Sequence, residues 1–149
     1  MVNELPAINL KPIGIVRNEL KQPVRRDCRE IISEIVIDPG LSEALDDLDE
    51  FSHIVVLYWM HRQRDLPMTK VHPMGNRQIP LKGVFATRSP RRPNPIGQTT
   101  VRLLQRQGNT IRVEGLDAIS GTPVIDIKPC IPDADLLANA RVPRWIAHR

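Results

Sequence analysis

Fourteen prolines and eight glycines interrupt a chain of 149 residues, so few stretches escape a residue that removes a backbone donor or weakens regular structure. This spacing excludes long helices almost everywhere and leaves strands joined by turns. Ile8 to Arg17 and Ile31 to Ile37 are rich in isoleucine and valine, and Ser52 to Met60 is a short apolar run suited to a buried strand. Lys82 to Thr87 offers another. Gln98 to Arg106 and Thr110 to Gly115 flank Gln107-Gly108-Asn109, which reads as the turn of a β-hairpin. Val124 to Lys128 is the last clear strand. One internal helix is expected over Leu41 to Leu48, opened by Asp38-Pro39-Gly40 and Ser42, with Leu41, Leu45 and Leu48 at helical spacing. Pro67 to Pro80 reads as a loop at one end of the sheet. The order predicts a mainly β fold: a small antiparallel barrel or curled sheet with one or two short peripheral helices.

The length suits one domain over 1–149, and 41% hydrophobic with 26% charged residues is an ordinary globular balance. The longest strongly apolar run, Ile54 to Met60, is far shorter than the roughly 20 residues of a membrane span, and a signal peptide needs an apolar segment near the start, so a soluble, unexported protein is expected. Cys28 and Cys130 are far apart, and His53, His61, His72 and His148 show no metal-ligand spacing. A cytoplasmic protein with reduced thiols, no metal and no membrane partner is expected.

Charge is segregated along the chain. Residues 27–50 hold nine acids and one base, whereas residues 66–113 hold nine bases and no acid. Such a basic block attracts phosphate, the electrostatic footprint of nucleic-acid binding; the alternative is a solvated face that docks against the acidic segment. Aromatic residues are only 3%, too few for a generic stacking platform, so any RNA recognition would be selective.

The glycine-rich loops that cradle dinucleotides and triphosphates are absent, as is a G-x-S-x-G elbow. The chemically dense stretch is Gly83 to Gly97. Its prolines at 90, 93 and 95 stiffen a loop carrying three arginines within five residues, which lowers the ordering cost of binding a carboxylate or phosphate. The competing reading is a rigid connector whose arginines point to water. Farther along, Asp126 and Lys128 lie two apart on a strand and share a face, where a local ion pair on a solvent face is the simpler reading.

The string Val84-Phe-Ala-Thr-Arg-Ser-Pro-x-Arg-Pro-Asn-Pro-Ile-Gly97, followed by Gly121-Thr-Pro-Val-x-Asp-Ile-Lys-Pro129, resembles the TsaA-like (TrmO-type) family of tRNA adenine-N6 methyltransferases. The likeness extends to Pro12-Ile-Gly-Ile-Val-Arg17, to Leu48-x-x-Phe-Ser-His53 and to His61, and covers about 10–133, leaving a tail over 134–149. It implies a small β-barrel, S-adenosylmethionine as methyl donor, no metal, and a homodimer with the donor near the subunit interface. The implied acceptor is a threonylcarbamoyl-modified adenosine adjacent to the tRNA anticodon. Ser120 stands where the family commonly has aspartate, and longer members carry a further C-terminal domain.

By position in these motifs, donor binding is assigned to His61, Arg62, Phe85, Arg88, Gln98, Ser120, Gly121, Thr122 and Pro123. Phe85 reads equally well as core, and His61 as a cap on its strand. Asp117 and Asp126 are the candidate proton acceptors. Lys82, Arg91, Arg92, Asn94 and Lys128 are the candidates for tRNA phosphate or for the carboxylate of the modified base. A small-molecule methyltransferase and a donor-binding module without turnover stand as alternatives.

Overall fold

The computed structural model describes residues 4–23 and 27–146. Six strands close a barrel in the order β1-β2-β7-β6-β3-β8, with β1 at Gly14–Arg17, β2 at Ile32–Ile37, β3 at His53–Trp59, β6 at Ile96–Gln107, β7 at Thr110–Glu114 and β8 at Pro123–Pro129. Every pairing is antiparallel, and closure leaves the barrel no open edge. A separate two-stranded ribbon joins β4 (Lys70–Val71) to β5 (Lys82–Gly83).

Period-two alternation builds the interior. Ile35 and Ile37 of β2, Ile54, Val56 and Tyr58 of β3, Val101 of β6, and Ile111 and Val113 of β7 pack into one buried cluster with Val16, Leu45 and Val124. A smaller cluster of Leu20, Cys28, Ile31 and Ile119 lies beside it. β6 and β7 pair up to Gln107 and Thr110, so the predicted hairpin forms with Gly108 and Asn109 at its tip. A register shift between Leu57 and Tyr58 lets β3 change its pairing with β8, the kind of irregularity that re-aims side chains at barrel ends.

Three local expectations change. The first strand starts at Gly14 rather than Ile8; Ile8 and Leu10 stay exposed, because β1 finds its partners, β2 and β8, only from Gly14 onward. The segment after Lys82 extends only to Gly83 and then turns through a 3-10 helix at Val84–Ala86, which leaves Phe85 79% exposed rather than in the core. In place of one helix over 41–48, there are two 3-10 helices, Pro39–Leu45 and Leu48–Glu50, separated by extended Asp46 and left-handed Asp47. The first is capped by Asp38, whose carboxylate accepts from the Gly40 amide at 2.9 Å. A run with Leu45 as its one buried anchor gains too little packing to offset helix nucleation, and the tighter form serves for short pieces. One turn of α-helix, α1 at Pro132–Asp135, follows β8. Among the described residues no helix is long and apolar enough to cross a membrane.

Part of the basic block docks on the acidic segment. Arg106 of β6 forms an ion pair with Asp46 at 2.8 Å and donates to the Ser42 carbonyl at 3.0 Å.

Candidate functional site

Where the end of β3 and the start of β6 meet the segment before β8, the surface opens into a cleft of about 1110 Å³. Its polar side chains come largely from four parts of the chain, and Leu20, Pro23, Cys28 and Asp135 add to the lining. His61, Arg62 and Gln63 follow β3; Thr87, Arg88 and Arg92 come from the proline-rich loop; Gln98 and Thr99 belong to β6; Asp117 and Thr122 precede β8.

The proline-rich loop is knitted by its own polar groups as well as by its prolines. Thr87 Oγ1 donates to the Val84 carbonyl at 2.8 Å, and Arg92 Nη1 donates to the carbonyls of Thr87 (3.0 Å) and Ser89 (3.1 Å). Arg92 is thus a brace within the loop, although it also lines the cleft. The loop's far end is fixed where the Met60 amide donates to the Pro95 carbonyl at 2.8 Å.

Asn18 anchors the opposite wall. Its carboxamide donates to Ser33 Oγ (2.9 Å) and to the Ala118 carbonyl (2.7 Å), while its oxygen accepts from the Leu20 amide (2.9 Å). Ser120 Oγ accepts from the Asn18 amide at 3.5 Å, and the Gly121 amide donates to the Val16 carbonyl at 2.8 Å. Gly121 has φ 91, a backbone region costly for any residue with a Cβ. Thr122 is buried, with Oγ1 donating to the Ile119 carbonyl at 2.7 Å.

His61 is half-buried, and its Nδ1 is sealed from solvent without a hydrogen-bond partner among the described residues. Burial and then the neighbouring Arg62 charge hold its imidazole below the ordinary histidine range, because both penalise the charged form. Gln63 Nε2 is likewise buried and unpaired. Two buried polar atoms without partners beside an open cleft are unusual in a protein interior and suit a site that completes its bonding with a ligand.

The sequence-predicted residues divide by place. His61, Arg62, Arg88, Arg92, Gln98, Asp117 and Thr122 line the cleft. Ser120 and Gly121 sit in its supporting turn, and Pro123 begins β8 opposite Ile15. Phe85 projects from its 3-10 helix outside the lining. Lys82 lies on β5 with Nζ 5.8 Å from the Trp145 ring centroid. Arg91 approaches Asp65 at 3.8 Å, and Asn94 accepts from the Ile96 amide at 2.7 Å. Asp126 and Lys128 pair with each other at 3.1 Å, with both side chains about half exposed, away from the cleft lining.

Tyr58, Cys28 and Thr99 line the cleft without having been singled out in the sequence. Tyr58 did carry a signal: it is the chain's one tyrosine, set in a strand read as buried, and a buried phenol needs a partner. Its hydroxyl donates to the Asp117 carbonyl at 2.8 Å and contacts Thr99 Oγ1 at 2.9 Å. Burial pushes its pKa up, so it remains a donor. Cys28 Sγ contacts Asp117 Oδ1 at 3.6 Å; nothing in its sequence neighbourhood marked it.

The family model for the N-terminal domain of tRNA-methyltransferase O matches residues 17–136. A protein of Methanothermobacter thermautotrophicus named a probable S-adenosyl-L-methionine-binding protein is 45% identical over 134 residues, which is 87% of this chain and 95% of that one. One of the same description from Pyrococcus abyssi is 39% identical over 137 residues, or 89% and 73% of the two chains. The crystal structure of TrmO from Pseudomonas aeruginosa is similar with a TM-score of 0.78 at 32% identity, covering 95% of this chain. The match spans 63% of that solved chain. The chain belongs to the tRNA-methyltransferase O family.

Proposed function

We propose that the chain is an S-adenosylmethionine-dependent methyltransferase whose acceptor is N6 of a threonylcarbamoyl-modified adenosine beside the tRNA anticodon, acting as a cytoplasmic homodimer. The observation that carries this reading is the convergence of His61, Arg62, Arg88, Gln98, Asp117 and Thr122, from the separate segments 61–62, 88–98 and 117–122, on one cleft. Its volume of about 1110 Å³ lies just above the roughly 300–1,000 Å³ of ligand sites, room for a donor and an acceptor base together.

The lining fits the donor's chemistry. A zwitterionic amino-acid end calls for a guanidinium and an acid, and Arg62, Arg88 and Asp117 are at hand; an adenine ring calls for an apolar slot, and Leu20, Met60 and Ile119 line the same space. The unpaired His61 and Gln63 atoms are hydrogen-bonding capacity in reserve. When bound, the donor supplies a methyl carbon activated by a positively charged sulfur. The protein's own contribution is to hold the acceptor nitrogen in line with that carbon and to keep water out. Asp117, the candidate carboxylate inside the lining, is our proposed acceptor for the proton lost from nitrogen. Arg91, Lys82, Asn94 and Lys128, outside the lining, are our candidates for tRNA backbone contacts.

A second reading, a donor-binding module without turnover, is favoured by the names of the archaeal relatives, which specify binding only. A tritiated-methyl assay with total tRNA, followed by mass spectrometry of its nucleosides, separates the two. The expected product is the N6-methylated form of the threonylcarbamoyl nucleoside. Calorimetric binding of the donor with no label in tRNA would select the module, and no binding would overturn both.

A further inference from the structure

Asp117 is the exposed residue in an otherwise buried run, Leu116 to Ile119, and it lines the cleft together with its buried neighbours Ala118 and Ile119. Two side chains hold successive carbonyls of this run from different elements. Asn18 donates to Ala118 at 2.7 Å, and Tyr58 donates to Asp117 at 2.8 Å. The single phenolic proton is spent on that carbonyl, so Thr99 must donate its own proton to the Tyr58 oxygen across 2.9 Å. The ring itself cannot swing. It is 5% exposed and lies against the backbone of Gly97, where a Cβ would overlap it. A hydroxyl from β6, a rigid ring on β3 and the cleft wall thus form one chain of contacts ending at the backbone carbonyl of Asp117.

We infer that Tyr58 is a positioning residue, which fixes the Asp117 carboxylate in the cleft through the Asp117 backbone. This rests on the donor-binding reading above. Tyr58 needs to touch neither donor nor acceptor. The cleft also presents the charges of Arg62, Arg88, Arg92 and Asp135, so the direction taken by the Asp117 carboxylate decides which cation or ligand group it meets.

Calorimetric titration with S-adenosylmethionine tests this on the full chain. Tyr58→Phe keeps the ring and removes only the hydroxyl; the expected result is donor binding weakened about tenfold. Asp117→Asn is expected to weaken it as well, and the double variant to bind no more weakly than Asp117→Asn alone, because both changes remove one coupled arrangement. A merely structural tyrosine would give losses that multiply. Should Tyr58→Phe not fold, Thr99→Val loosens the same phenol without altering the ring, with about a threefold weakening and the same failure to multiply expected. Wild-type affinity in Tyr58→Phe or in Asp117→Asn, or multiplicative losses in the double variant, overturns the inference alone. No heat from the wild-type chain overturns the donor reading and this inference together.

Discussion

A half-buried imidazole with one nitrogen unpartnered among the described residues is poorly placed to become a cation, and Arg62 beside it makes the charged form worse still. Since folding lowers the His61 pKa from 6.5, the unfolded chain binds more protons near that pH. The stability His61 contributes is therefore present above about pH 6.5 and is lost as pH falls through its lowered folded value. His61→Gln should flatten that acid-side decline. Urea unfolding of both proteins at about pH 7 and about pH 5 measures it, and an unchanged slope would show that His61 does not titrate in this range. Gly121 makes a separate demand. A Cβ there would sit 3.8 Å from His61 Nε2, which is ordinary contact, so space is not the obstacle; φ of 91 is. Gly121→Ala should cost about 1–2 kcal/mol of stability through backbone strain, read by the same unfolding. At this scale, the sequence marked His61 and Gly121 through a motif, whereas Tyr58 and Cys28 could be placed only once strands distant in sequence had been brought together.

The loop before β6 shows why two adjacent arginines are not equivalent. Arg92 turns back to hold the Thr87 and Ser89 carbonyls, while the Arg91 guanidinium approaches Asp65 at 3.8 Å. Arg92→Gln should loosen the loop that carries Arg88 into the cleft and weaken donor binding about tenfold; Arg91→Gln should leave donor binding near wild type. Calorimetry on the pair decides this, and equal losses would refute the division. The loop's stiffness was legible from its prolines, but the brace was not, because a guanidinium that folds back and one that faces solvent look alike in sequence. The strands followed the same rule. Alternation and turn residues exposed the barrel and its hairpin, since burial on one face writes a period of two into the chain. The two 3-10 helices over 39–50 read as one helix in the sequence because Leu41, Leu45 and Leu48 lie at helical spacing, yet of these Leu45 alone is buried. Close approach of backbone to ring was equally silent. Gly97→Ala would drive a methyl into the Tyr58 ring, and about 1–3 kcal/mol of destabilisation is expected from such overpacking.

Across the whole molecule, the segregation of charge serves two ends, and the fold tells them apart. Arg106 is consumed internally: it pairs with Asp46 and also donates to the Ser42 and Gly108 carbonyls, with its side chain only 20% exposed. The acidic segment and this end of the basic block are thus partners within one chain, one of the two outcomes the sequence left open. The cations around the cleft and its loop are different, because Arg88 and Arg62 face solvent or the cleft. If tRNA is the acceptor, the two sets must separate experimentally. Binding of tRNA should fall steeply with salt, and Arg91→Gln should reduce the slope of log affinity against log salt by about 0.7–0.9, the loss of one released counterion. Arg106→Gln should leave that slope unaltered and instead cost about 1–2 kcal/mol in unfolding, from hydrogen bonds to buried or charged partners left unmade. Filter binding of tRNA over a salt series, paired with denaturant unfolding, resolves the two effects. A slope that responds to Arg106 and ignores Arg91 would place the RNA at the far end of β6 from the cleft and remove the electrostatic support for a tRNA acceptor at this site.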